Sequence, residues 1–268
     1  MREVGLRRHV FSHGLGRTMR MAAIAQREQA FVVREAPNLP YLVQLKRFGV
    51  ATLRVGDLPP DSTLLWKQAM SALVARASDQ NIFEAEDVFA MLPEAFLFGL
   101  ERSMLDLAEN YIGQPCRYAA CALKRERVGA PRVAQRLWHR DVEDERMLRV
   151  LIYLSDVSEG DGGLQYCVSN EISSRPLSSG YFTDEQLTQR MSNFNIETVT
   201  GKAGTVVLFD GARLTHRAGT PTRTDRLSLC FTYTSRHPLQ SFRSSRLTNG
   251  SRRIIGDLVG SRAGAYLH

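Results

Sequence analysis

Two histidines and one aspartate have the residue types and the spacing of metal ligands. His139 and Asp141 are two residues apart in the stretch Trp138-His-Arg-Asp141, and His216 follows much later in the chain. In an extended segment the side chains at i and i+2 point to the same face, so we expect His139 and Asp141 to converge. Two imidazoles and a carboxylate on one face of an octahedral metal leave the other face open, as in non-haem Fe(II) oxygenases. The alternative is a surface His-x-Asp unrelated to an ordinary core histidine at 216.

Arg226 and Ser228 begin a run of β-branched and aromatic residues that is typical of a strand. Their side chains would face the same way and offer a guanidinium and a hydroxyl to one carboxylate, such as that of 2-oxoglutarate. The alternatives are a salt bridge from Arg226 to Asp225 or a charge on an edge strand. Arg217 and Arg223 are nearby candidates for the same role, but neither begins a strand.

Several ordered motifs between about Cys116 and Thr234 resemble the Fe(II)/2-oxoglutarate-dependent oxygenases of the phytanoyl-CoA dioxygenase type. The matching pieces are His139-Arg-Asp141, Leu151–Val157, Gly162–Gln165, Gly204–Phe209, His216 and Arg226. The resemblance implies a double-stranded β-helix (a jelly roll of the cupin kind) with Fe(II) on His139, Asp141 and His216. It also implies 2-oxoglutarate held by Arg226 with help from Ser228, O2 as the oxidant, and Tyr153 beside the cosubstrate. A plain core tyrosine is the alternative for Tyr153.

The chain departs from the family pattern in one place and keeps it in another. The family often has a Pro-Gly-Ser-His turn near the substrate, where this chain has Cys167-Val-Ser-Asn170. The substrate is therefore left open. Halogenases of this superfamily replace the ligand aspartate with a small residue, so the presence of Asp141 favours hydroxylation or a related oxidation.

Length and composition predict one compact domain. The chain has 268 residues, of which 43% are hydrophobic, and it contains no apolar run long enough to span a membrane. Four cysteines without a Cys-x-x-Cys pair are typical of buried, reduced thiols in a cytoplasmic protein.

Positive charge is concentrated at the two ends of the chain. Residues 1–28 carry a net charge of +4 and residues 236–268 carry +5, which leaves −2 for residues 29–235. We therefore expect a basic leader, a single oxygenase domain over residues 29–235 and a basic C-terminal extension. A nearly neutral body does not favour a nucleic-acid-binding face, and solvated tails are the simplest interpretation. The leader is typical either of a transit peptide or of a start assigned too early, and both alternatives stay open; we expect a bacterial-type cytoplasmic protein with a flexible leader.

The coarse pattern predicts helices followed by a barrel. A strand is predicted over Phe48–Val55, a helix capped by Asp61, and a helix from Pro93 to Tyr111 that stops at Gly113. Eight short strands with glycine-rich turns then indicate a jelly roll. They are predicted over residues 117–128, 135–141, 148–154, 163–168, 196–200, 204–209, 213–217 and 226–234.

The longest gap between predicted strands runs from Ser169 to Asn195. Within it, Thr183 and Gln186 have the spacing of a helix capping box. A connection this long inside a compact domain is usually functional or disordered, so we expect a lid over the iron.

Three functions remain open from the residues. The first is oxidation of a C–H bond in a small molecule, including those of secondary metabolism, without a general base among the side chains. The second is a cupin-like metal-binding protein without O2 chemistry, for which an Arg226-x-Ser228 pair would have no use. The third is an oxygenase of protein or nucleic acid, to which the basic ends would add reach. The sequence predicts no oligomeric state.

Overall fold

Two antiparallel β-sheets face each other, and helices cover the outside of the larger sheet. The structure is a computed structural model that describes residues 39–58, 63–76, 82–85, 87–169, 180–191, 193–240 and 247–255. The helices in this part are α1 (Pro40–Phe48), α2 (Thr63–Ala75), α3 (Val88–Met91), α4 (Pro93–Phe98), α5 (Arg102–Ile112) and α6 (Asp184–Arg190), with a further helix at 249–255. The strands are β1 (Val50–Arg54), β2 (Ile82–Glu84), β3 (Cys116–Glu126), β4 (Leu148–Tyr153), β5 (Leu164–Ser169), β6 (Phe194–Thr198), β7 (Thr205–Phe209), β8 (His216–Ala218) and β9 (Arg226–Ser235).

The larger sheet has the strand order β1-β7-β4-β9-β3-β2, and the smaller one has the order β6-β5-β8. Every pairing between these strands is antiparallel. This two-sheet arrangement confirms the predicted jelly-roll class. It brings β8 and β9, which carry His216 and Arg226, to opposite walls of one interior.

Each strand of the larger sheet has one face toward the helices and one toward the interior of the barrel. In β4, Leu148, Val150 and Ile152 belong to the large apolar core shared with the helices. Arg149 and Leu151 alternate with them and line the interior pocket. Because side chains alternate between the two faces of a strand, one face of β4 packs in the core and the other lines the pocket.

The predicted helix from Pro93 to Tyr111 is wrong in one respect: it is two helices, α4 and α5, with a break after Phe98. Gly99 lies against the Tyr118 ring, where a Cβ atom would stand 2.5 Å from a ring carbon, and its carbonyl accepts from the Tyr233 hydroxyl. The break therefore occurs at a residue of low helix propensity, and the contacts of Gly99 with the two tyrosines hold it there. The predicted stop is confirmed, because Gly113 adopts a left-handed φ of 79° at the end of α5.

Most predicted strands are present within a few residues, but the one over 135–141 is not. A 3-10 turn, Ala134–Arg136, stands there, followed by isolated bridges from Trp138 to Phe182 and from His139 to His216. The predicted strand at 213–217 is reduced to β8. The sequence analysis did not find α1, β2 or α3, and the proposed Asp61 cap lies outside the described residues.

Part of the basic C-terminal extension packs on the domain. Ile255 is 1% exposed and belongs to the helical core, while Asp87 accepts hydrogen bonds from the Thr248 amide and the Ser251 hydroxyl. Residues 247–255 are therefore not a solvated tail, which was the interpretation drawn from the sequence. The leader, residues 1–28, lies outside the described residues, and the three-part division of the chain stays a prediction.

All four cysteines lie in described segments and are free thiols; Cys116 and Cys167 are buried as predicted, whereas Cys121 and Cys230 are only partly buried. Among the described helices none combines the length and the apolar character that crossing a bilayer requires. The compartment stays a prediction.

Candidate metal centre

The three predicted ligands come together in the structure. His139 and His216 form an antiparallel bridge in which each amide donates to the other's carbonyl, at 3.0 and 2.9 Å. Nε2 of His139 lies 3.8 Å from Oδ1 of Asp141, and the potential ligand atoms of all three residues lie within 4.8 Å of one another. The segment that carries His139 and Asp141 is not a regular strand, yet the expected convergence of their side chains is present.

Both imidazoles are oriented by the backbone. Nδ1 of His139 lies 2.8 Å from the Leu137 carbonyl, and Nδ1 of His216 lies 3.0 Å from the Leu214 carbonyl. A carbonyl oxygen only accepts hydrogen bonds, so each Nδ1 carries the proton and donates it. Each Nε2 is left as a lone-pair donor directed at the shared site, which is the arrangement that metal-bound histidines require.

The protonation states also fit a divalent metal. Burial lowers the pKa of His139, and it lowers that of His216 to about 4, with the neighbouring His139 adding to the effect. Burial raises the pKa of Asp141, but Arg149 and the two histidines outweigh it and bring the value to about 2. At neutral pH the cluster is therefore two neutral imidazoles and one carboxylate. This nitrogen and oxygen donor set suits Fe(II).

Arg149 is a site residue that the sequence analysis missed. Its Nε lies 2.6 Å from Oδ2 of Asp141. The other oxygen of this carboxylate, Oδ1, is the one nearest His139. The available signal was an arginine at an inward position of the otherwise apolar strand β4. Its partner was not predictable, because Asp141 lies in an irregular segment.

Arg226 and Ser228 line the same pocket as the two histidines. The empty space of this pocket, including solvent at its mouth, is about 640 Å³. Its lining residues come from six strands and from the segment around His139; they are Ala122, Lys124, Glu126, Gln135, His139, Arg149, Leu151, Leu164, Phe209, His216, Ala218, Arg226, Ser228 and Cys230.

The partner of Arg226 is Glu126 of β3, not Asp225. Its guanidinium donates to the Glu126 carboxylate and to the Gly162 carbonyl. Its Nε is buried and has no hydrogen-bond partner among the described residues. Asp225 instead pairs with Arg125 at 2.8 Å, so the salt bridge considered from the sequence is wrong. The Nε–H of Arg226 is therefore a donor of this guanidinium that no described residue occupies.

The two other candidate arginines are engaged elsewhere. Arg217 donates to Asp184 at 2.6 Å and stacks on Trp138, and Arg223 donates to the Glu159 carbonyl at 3.2 Å. Neither lines the pocket that contains the histidines. Of the three candidate arginines, Arg226 is the one that lines this pocket, and its role toward a cosubstrate stays a prediction.

Tyr153 is a buried connection between the sheets. Its hydroxyl donates to the Val199 carbonyl and accepts from the Leu164 amide, both at 2.9 Å. It stands opposite Ser228 in the pairing of β4 with β9. A role beside a cosubstrate stays a prediction for this residue.

The described end of the predicted lid, residues 180–191, is fixed against the metal site. Tyr181 lies on His139 with ring centroids 5.1 Å apart, and Phe182 forms the backbone bridge to Trp138. Asp184 accepts from the Trp138 indole, at 2.7 Å, as well as from Arg217. The predicted capping box is confirmed at the start of α6. Residues 170–179 lie outside the described residues, so the lid hypothesis stays a prediction.

The family comparison agrees with this geometry. The sequence profile of the phytanoyl-CoA dioxygenase (PhyH) family matches residues 44–226, which is more than half of the chain. A comparison with curated protein sequences gives no match.

Similar solved structures share the fold. EctD from S. alaskensis, solved with 2-oxoglutarate and 5-hydroxyectoine, has a TM-score of 0.57 at 20% identity, covering 79% of this chain and 83% of that one. HygX from Streptomyces hygroscopicus, solved with nickel, 2-oxoglutarate and hygromycin B, has a TM-score of 0.53 at 15% identity, covering 74% and 88%. The epimerase SnoN from nogalamycin biosynthesis has a TM-score of 0.51 at 14% identity, covering 73% and 82%. The profile match shows that this chain belongs to the phytanoyl-CoA dioxygenase family.

Proposed function

We propose that the protein is an Fe(II)- and 2-oxoglutarate-dependent dioxygenase that oxidises a C–H bond of a small molecule, with hydroxylation as the simplest outcome. The observation that supports this proposal is that two features share one pocket. The cluster of His139, Asp141 and His216 opens on the same space as the buried guanidinium of Arg226. A metal-storage or sensor site has no use for the second feature.

The three ligands would hold Fe(II) on one side and leave its pocket side open. The Nδ1 bonds of His139 and His216 fix the imidazole planes before any metal arrives, so little ordering remains to be done on binding. The chemistry that bound Fe(II) supplies is activation of O2 for attack on a C–H bond, coupled to decarboxylation of 2-oxoglutarate to succinate and CO2. No side chain is needed as a general base for this chemistry, and we assign none.

Arg226 and Ser228 would hold the distal carboxylate of 2-oxoglutarate. Arg226 is 5% exposed and Ser228 is 3% exposed, so a carboxylate paired with them is shielded from water. Glu126, which also lines the pocket, accepts from this guanidinium and is itself approached by Arg136, whose Nε lies at 3.4 Å. The local excess of positive charge favours an anionic cosubstrate at this end of the pocket.

A small-molecule substrate is the form of this activity that we favour over a protein or nucleic acid. The body of the chain is close to neutral, whereas a nucleic-acid-binding face needs clustered basic residues. The solved relatives named above are described with small molecules such as 5-hydroxyectoine and hygromycin B, which supports the same class here.

The test is the release of succinate from 2-oxoglutarate in air by purified protein supplied with Fe(II), first alone and then with a panel of small molecules. We expect slow release without substrate, stimulation by a correct substrate, and neither effect in His139→Ala or His216→Ala. Succinate release that is equal in wild type and both histidine variants would contradict the proposal. Deletion of residues 1–28 should leave the rate unchanged for a small-molecule enzyme, while a large loss would favour a macromolecular substrate.

A further inference from the structure

Arg149 stands where an unpaired charge would be costly. It projects from β4 into the barrel interior, and its cross-strand neighbours are Phe209 of β7 and Thr232 of β9. Its side chain is 17% exposed. A guanidinium in such surroundings needs a close anionic partner, because removing it from water is unfavourable. Asp141 is that partner, through the contact of 2.6 Å between Nε and Oδ2.

The two oxygens of Asp141 therefore have different surroundings. Oδ1 is the atom nearest the histidine cluster, at 3.8 Å from Nε2 of His139. Oδ2 lies between Arg149 and the backbone of Gly211, where a Cβ atom would stand only 1.8 Å from it. The Asp141 amide donates to the Gly211 carbonyl at 2.8 Å, which fixes the main chain as well. The carboxylate consequently has little freedom to rotate about its own axis.

A carboxylate can ligate a metal through one oxygen or through both. An octahedral ion with three single-atom protein ligands keeps three positions, enough for a bidentate 2-oxoglutarate and one O2. A carboxylate bound through both oxygens would take one of these positions. Holding Oδ2 away from the metal therefore decides whether the site can bind cosubstrate and O2 together.

We propose that Arg149 is a positioning residue that restricts Asp141 to ligation through Oδ1 alone. The inference rests on the metal site of the proposed function. Gly211 acts with Arg149 by leaving room for Oδ2, since a Cβ atom there would stand 1.8 Å from Oδ2 and 3.3 Å from Nε of Arg149. A guanidinium suits this role better than an ammonium, because it is planar and presents its N–H donors at fixed angles to one another, whereas an ammonium is a point charge on a flexible stem.

The test uses Co(II), whose visible spectrum reports coordination number and which does not react with air during the titration. Arg149→Met should bind Co(II) at least about tenfold more weakly than wild type and should give an altered spectrum, since outer-shell partners typically change metal affinity by about 10–100-fold. Arg149→Lys should restore part of both. Arg125→Met is the matched control, because it breaks an arginine–aspartate pair of 2.8 Å that lies outside the pocket.

Thermal denaturation of the metal-free variants in chelator separates positioning from general stability. A merely structural role would lower the melting temperature of metal-free and Co(II)-loaded protein equally and leave the Co(II) spectrum of the folded fraction unchanged, and that result would overturn the proposal. Wild-type affinity and spectrum in Arg149→Met would overturn it too. If Arg149→Met does not fold, Arg149→Lys decides: it must shift the spectrum without abolishing binding.

Failure of the proposed function is distinguishable from failure of this inference. A wild type that binds Co(II) but shows no spectral response to 2-oxoglutarate contradicts the dioxygenase assignment, while the Arg149 comparison still stands on Co(II) alone. A wild type that does not bind Co(II) overturns both.

Discussion

Substitution of Gly211 by alanine should remove the metal site while leaving the fold in place. The new Cβ atom would stand 1.8 Å from Oδ2 of Asp141, whereas real Cβ contacts essentially never fall under 3.0 Å, so the two groups must separate by at least 1.2 Å. The side chain of Asp141 is the part that can move. Disturbing the groups that orient a metal ligand typically costs about 10–100-fold in metal affinity, and displacing the ligand itself falls at the upper end of that range. We therefore expect divalent metal affinity to fall by about 100-fold, which corresponds to about 2.7 kcal/mol.

Gly211→Ala should lower the stability of the fold proportionally less than it lowers the metal affinity. Overpacking a close-packed interior typically costs about 1–3 kcal/mol, which for a domain of this size lowers the melting temperature by roughly 2–4 °C per kcal/mol. Gly56→Ala is the control, because a Cβ atom there has no neighbour within 4 Å. The assays are thermal denaturation in chelator and titration with Co(II). Wild-type Co(II) affinity in a folded Gly211→Ala protein would refute the reasoning.

Three further outcomes are expected. Arg226→Lys should need at least about tenfold more 2-oxoglutarate for half-saturation while its metal affinity stays unchanged, because an ammonium cannot reproduce the planar donor pair of a guanidinium. An equal loss of 2-oxoglutarate affinity and metal affinity would contradict the assignment. Burial raises the pKa of Glu126, but Arg226 and Arg136 outweigh it and leave the value lowered. Its ionisation therefore stabilises the fold above the unfolded-state pKa of about 4.3, and this contribution is lost as the pH falls through the folded-state pKa. In the wild type, the midpoint of urea unfolding should fall between about pH 5 and pH 3, and Glu126→Gln should make this fall shallower. An unchanged slope would show that Glu126 is not the source of this pH dependence. Asp184→Asn should speed proteolysis within residues 180–191. It should lower the free energy of unfolding by less than about 1 kcal/mol in a urea titration, since Asp184 is partly exposed. Resistance to proteolysis equal to that of the wild type would mean that the apolar contacts alone hold this segment.

The residues with the strongest local pattern were predictable. His139 and Asp141 converge because a separation of two in any extended segment places side chains on one face, whether or not a regular strand forms. Arg226 reaches the same pocket because it begins β9, a strand whose β-branched and aromatic content is unambiguous. The core strands around them follow from the same content and from the glycine-rich turns.

The features that sequence reasoning missed depend on contacts between distant segments. Arg226 pairs with Glu126, which lies a hundred residues away, and not with the adjacent Asp225. Arg149 meets Asp141 because the irregular segment after His139 is held against Gly211, whose carbonyl accepts from the Asp141 amide. The break between α4 and α5 is set by two tyrosines of β3 and β9. None of these choices changes the local hydrophobic period, so the period could not reveal them.

The most direct test of the central claim is anaerobic titration of the purified protein with Fe(II) and 2-oxoglutarate, watched for the weak visible charge-transfer band of the chelate. We expect the band in wild type, its absence in His139→Ala and His216→Ala, and a higher 2-oxoglutarate requirement in Arg226→Ala. Metal binding without a band at any 2-oxoglutarate concentration would contradict the cosubstrate assignment and leave a metal-binding barrel without O2 chemistry as the function.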